Sequence, residues 1–224
     1  MATRDLSWLD EGLRAYIGLH RISSSRLFAH GGQRAWWDVQ TQLYHVIRYS
    51  VPLLEFAAAH SRSLGPDYAG FAEWCERHAL EEAHHDEWLL EDLGVGGLDT
   101  AQIAASLPSP EVLNLVGNQY ALIPCGEPAA LLGYLYLAEA HPSTAEELEL
   151  TAARFGIPEA SLRTLLLHTH DDQAHGDEVR SLIERYSDTV RRRDAIRTAG
   201  AAYLIGWSSY FTRAARAISV ARTA

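Results

Sequence analysis

Apolar residues recur at three- and four-residue spacing along nearly the whole chain, and no window sustains alternation at every second residue. A chain patterned this way buries its apolar stripes only by packing helix on helix, so the reading is all-α. Residues 5–29 form a first predicted helix, ended by Gly31 and Gly32. Residues 35–64 form a second, with Pro52 inside it and a kink expected near Ser50. Residues 67–93 read as one helix, stopped by the glycine-rich stretch 94–97. Asp99 and Ser109-Pro110-Glu111 each open a short helix, and 127–140 runs to His141-Pro142. Ser143-Thr144 caps another, closed by Gly156, and the last two span 158–186 and 190–216. No linker or low-complexity segment interrupts this order. Residues 1–224 therefore read as a single domain, a bundle of seven to nine helices.

Composition removes several function classes. A net charge of -10 argues against a nucleic-acid or anionic-membrane partner. No apolar run approaches the ~20 residues of a membrane span. Residues 1–14 contain three acidic side chains and no apolar run, so no signal peptide is read and a cytoplasmic protein is expected. Cys75 and Cys125 are then two reduced thiols. All 19 basic residues are arginine, and the absence of lysine excludes Schiff-base chemistry and a phosphate-cradling P-loop. Neither GxGxxG nor GxSxG occurs.

What chemistry remains lies in the histidines. Six of the eleven fall in two eight-residue windows, 78–85 and 168–175. The first reads His78-x3-Glu82-x2-His85 and the second His168-x3-Asp172-x2-His175. On a helix, positions i, i+4 and i+7 lie within about 60° of one another. Each window thus presents two imidazoles and a carboxylate as one stripe. Glu82-x-x-His85 is the pairing that helical bundles use in dinuclear sites, and Glu81-x-x-His84 is the same pairing rotated by one residue. Glu139 shares a face with Leu132 and Leu135, and a buried carboxylate there needs compensation, for which a metal ion is one source. Glu82, His85, Glu139, His168, Asp172 and His175 together suffice for two metal ions with open positions. Their nitrogen and oxygen atoms suit iron, manganese or zinc better than sulfur-preferring metals.

The string 78–93, with its HxxxExxH core, resembles the motif of the haem-oxygenase-like diiron oxidases and oxygenases. The later HxxxDxxH and the intervening Glu139 match that family's order and separations, and the resemblance runs over 36–216. It implies a haem-oxygenase-like fold in which three core helices hold two Fe(II) ions, with O2 as co-substrate. It further implies a small-molecule substrate, amino-acid-derived, in a specialised biosynthetic pathway, oxidised by N-oxygenation, desaturation or C–C cleavage. Some members carry a carboxylate where this chain has His78, so His78 stands as ligand, hydrogen-bonding neighbour or core residue. Tyr44, with Trp36, Trp37 and Trp88, is a candidate for the dry wall beside the metals. Arg48 is the candidate for holding a substrate carboxylate. A homodimer is the default assembly.

Other classes fit parts of the pattern. A haem-binding relative would use His20 or His30, and a zinc protein would use the same donors without redox turnover. A metal-free hydrolase or binding module on the same scaffold would draw on Cys125.

Overall fold

In the computed structural model, which describes residues 5–125, 127–140 and 143–221 (the side chains of 125 and 170–173 excepted), 87% of the described residues are helical and none of them forms a strand. Helix α1 (Ser7–Ile47) turns at Gly32, where φ 52° and ψ -133° favour glycine. The boundary expected there is thus a kink joining two arms. A break at Arg48–Tyr49 leads to α2 (Ser50–Ser63), whose first turn accommodates Pro52 without a lost hydrogen bond.

After a 3-10 turn at Pro66–Tyr68 comes α3 (Ala69–Glu81), and after it α4 (His85–Val95). The single helix expected over 67–93 is therefore two. His84, left-handed at φ 72°, separates them. Short α5 (Thr100–Ala105) is capped by Asp99, whose side chain accepts from the Gln102 amide. Then follow α6 (Pro110–Cys125), α7 (Leu131–Glu139) and α8 (Ala145–Phe155). The last has the expected Thr144 cap, reciprocated by Glu147, and ends at a left-handed Gly156. Finally α9 (Arg163–Tyr186) and α10 (Val190–Ala221) complete the bundle.

Helix α7 is the axis. Leu131 through Tyr136 are all buried, and the helix packs against α6, α9 and α10. A Cβ on Gly133 would lie 1.8 Å from the Ile196 carbonyl oxygen, so α7 and α10 touch backbone to backbone. A second close crossing brings α9 onto the end of α7. A Cβ on Gly176 would lie 2.9 Å from Ala140 Cα and 3.1 Å from the Glu139 oxygen. Arg180, one turn further along α9, donates to the Ala140 carbonyl at 2.8 Å and so caps α7. At its start α9 is pinned by buried Asp92, which accepts from the Thr164 amide at 2.7 Å. These anchors fix three elements around one point: the α3–α4 break, the end of α7 and the middle of α9.

Candidate metal centre

The α3–α4 break shapes the first wall. His78, fully buried, stands in the last turn of α3; Glu82 is the residue on which α3 closes; His85 opens α4. The continuous stripe expected from 78 through 85 does not form, because the backbone leaves the helix between its second and third members. Both Glu82 and His85 are nevertheless buried, with His85 Nδ1 3.2 Å from Glu82 Oε2. His84 is turned outward by its left-handed backbone, two-thirds exposed, with Nδ1 3.1 Å from Glu87. Of the two rotated pairs, the buried one is Glu82–His85. Glu81, itself exposed, contacts the buried His78 instead.

Around this point the titratable side chains fall into two groups. In one, His78 stands between carboxylates: Nε2 is 3.2 Å from Glu139 Oε1, and Nδ1 is 3.3 Å from Glu81 Oε2. His175 crosses it edge-on, with ring centroids 4.7 Å apart, and its Nε2 is 3.6 Å from the same Glu81 oxygen. One donor atom from each of His78, Glu81 and His175 lies within 4.8 Å of the others. In the second group, His85 meets His168 ring edge to face at 4.7 Å and bonds Glu82. Glu82 links the groups, its other oxygen lying 3.9 Å from His175 Nδ1. The side chain of Asp172, one helical turn before His175, lies outside the described residues.

Burial and proximity set the charges. Burial opposes protonation of His78, but the Glu139 bond, the Glu139 and Glu82 charges and the Glu81 bond outweigh it and raise its pKa to about 9. Glu139, deeply buried, is raised above the ordinary carboxylate range despite the His78 contact. The two shifts together describe a buried pair that holds a proton at neutral pH. Burial also works against Glu82, yet His85, His78 and His168 lower it overall. Two acceptors here lack a hydrogen-bond partner among the described residues: Glu139 Oε2 and His175 Nδ1, both buried. Leaving them so costs free energy that a cation would offset. An imidazole and carboxylate donor set with orphaned lone pairs fits a metal ion.

A cavity of about 240 Å3 opens onto His78, Glu82, Glu139 and His168. Its remaining wall is mainly aliphatic, from α1, α2, α7, α8 and α9, with the rings of Tyr134 and Tyr203. Neither Tyr44 nor Arg48 belongs to that lining. Tyr44 is buried instead with Leu89, Leu93 and Ile103, and Arg48 is exposed with its guanidinium 5.7 Å over the Tyr44 ring. Leu43, Val46 and Ile47 of the same stretch take the face that lines the cavity, so Tyr44 and Arg48 do not stand beside it as expected. Trp36 sits in a separate cluster with Leu148 and Leu162, while Trp88 leans on His85 at 4.8 Å. The sequence reading did not single out Trp74, which stacks flat on His78 at 4.7 Å and donates its indole N–H to Glu178 at 2.6 Å. Its position one helical turn before His78 was the available signal. Cys75 is buried, and burial pushes its thiol pKa up, which makes it a poor nucleophile.

A family model described as iron-containing redox enzyme matches residues 39–207. The crystal structure of a domain of unknown function with a heme oxygenase-like fold, from Shewanella denitrificans, superimposes with a TM-score of 0.82. It shares 19% sequence identity and the alignment covers 97% of this chain and 95% of that one. No curated protein matches the sequence.

Proposed function

Because the chain belongs to the iron-containing redox enzymes, we propose that it is a non-haem diiron oxidoreductase that uses O2 to oxidise a small molecule. The carrying observation is the convergence of His78, Glu139 and His175 with Glu82, His85 and His168 beside one apolar cavity, with Glu139 Oε2 and His175 Nδ1 buried and lacking a hydrogen-bond partner among the described residues.

His78, Glu81, Glu139 and His175 would hold one iron; Glu82, His85 and His168, with Asp172 assigned from sequence, would hold the other. Bound there, two ferrous ions would supply the electrons for oxidation with dioxygen. The protein's own part is positional and electrostatic. Asp92 and Gly176 set where α9 lies, and Trp74 fixes the plane of the His78 ring. His78 Nε2 and Glu139 Oε1 hold the proton that must leave when metal binds. The aliphatic lining keeps water from the reacting centre.

Anaerobic ferrous titration tests the reading, followed by stopped-flow absorbance on mixing with oxygen. Uptake of about two irons per chain, with a transient visible band sharpened by one substrate class, supports it. Failure to take up iron, or uptake with no reaction toward oxygen, refutes it.

A further inference from the structure

A second cavity, of about 620 Å3, lies between the two arms of α1 and helix α10. Its lining shares two residues with the cavity beside the metal ligands, Leu43 and Tyr203. One side chain from α1 and one from α10 therefore separate the two spaces. Tyr203 stands edge-on to Tyr134 at 5.2 Å, and Tyr134 belongs to the inner wall. The outer space is apolar along most of its length, from Ile17 to Trp207 and Phe211, but carries charge at α1. Asp10 there accepts from the Tyr136 hydroxyl at 2.8 Å. Burial and the Arg21 charge push the pKa of His20 down, which keeps it neutral. Arg21 remains, exposed, with no ion pair among the described residues. Among the described residues no arginine lines the inner cavity, so Arg21 is the one arginine that faces either space.

We propose that the outer cavity is the entry chamber of the enzyme, that Arg21 seats the anionic end of an elongated apolar substrate, and that Leu43 and Tyr203 gate the passage of its chain to the metal cavity. This rests on the diiron reading only in assigning the inner cavity as the place of reaction. The substrate class is thus an amphiphile that enters with its apolar end first. The cation sought at Arg48 from sequence is supplied at Arg21, in the outer space.

The test is calorimetric titration of octanoate, octan-1-ol and butyrate into the full chain, anaerobically loaded with iron and, in parallel, free of metal. Arg21→Gln should weaken octanoate about tenfold and leave octan-1-ol unchanged. Leu43→Trp should weaken octanoate and octan-1-ol by about tenfold or more while sparing butyrate, which fits in the outer space. Leu43→Phe replaces it if circular dichroism shows that the tryptophan variant does not fold. Unchanged octanoate binding in Arg21→Gln, or equal losses at both chain lengths in the Leu43 variant, overturns the proposal. Iron uptake is read on the same samples. Its failure with the binding pattern intact would sink the diiron reading and leave the chamber standing.

Discussion

Gly176→Ala tests whether the close approach of α9 to α7 builds the metal centre. A methyl group at this position would meet Ala140 Cα at 2.9 Å and the Glu139 oxygen at 3.1 Å. Ordinary contact begins near 3.4 Å, so α9 must withdraw by roughly 0.5 Å in a close-packed interior. Alanine improves helix propensity by about 1 kcal/mol, while overpacking costs about 1–3 kcal/mol. The net loss of stability is therefore at most about 2 kcal/mol. The site suffers more than the fold, because His175 directly precedes Gly176 and ligands tolerate only about 0.5 Å of displacement. We expect iron affinity to fall about 10-fold to 100-fold, as for other supporting positions. Gly117→Ala is the control: its added methyl meets nothing within 4 Å, so it should stabilise α6 by about 0.5–1 kcal/mol and leave iron alone. The assay is ferrous titration alongside urea unfolding of both variants. Normal iron affinity in a folded Gly176→Ala protein would refute the argument that this crossing sets the ligand geometry.

His175→Ala should abolish iron loading and turnover with helix content intact by circular dichroism; two irons bound with normal turnover would contradict the ligand assignment. Protonation of His78 gives a pH signature in the metal-free chain. Its folded pKa of about 9 lies above the ordinary histidine value near 6.5, so the stabilisation is full below about 6.5 and is lost as pH rises through about 9. Urea unfolding should register a loss of at most about 3 kcal/mol across that window, absent in His78→Ala, and a flat or rising profile would count against it. Over the same window iron uptake should strengthen, by up to about tenfold per pH unit, because binding expels the proton. His84→Gly should keep both irons and stabilise the chain by about 1 kcal/mol, since glycine adopts the left-handed backbone without strain; loss of iron in this variant would place His84 in the site after all.

Much of this was legible from residue spacing because the signals are local. Apolar periodicity gave the helices, Gly32 gave the turn in α1, and Thr144 with Glu147 and Gly156 gave both ends of α8. The clustered histidines led to the region where these side chains converge, and Glu139 drew notice by the one rule that makes it conspicuous, a carboxylate on an apolar face. The break at His84 was not legible. Left-handed backbone is marked in sequence by glycine or asparagine, and a histidine there is held by tertiary packing that no short window contains. Glu81 was named only in the rotated pair with His84, because nothing in the spacing shows that His78 and His175 flank this half-exposed carboxylate. Arg48 and Tyr44 do not line the cavity because Leu43, Val46 and Ile47 take the face that does, and apolar spacing alone did not tell which face that was.

The junction between α3 and α4 has one more consequence. Only one backbone bond of 3.4 Å, from the His85 amide to the Glu82 oxygen, spans its tightest point. The proposed ligands flank it, His78 and Glu82 before and His85 after. An ion held across this gap acts as a removable crosslink, fastening two helices that the peptide chain joins only loosely. Amide exchange at residues 83–86 then becomes a gauge of occupancy that needs no substrate, slow in the loaded protein and fast in the stripped one.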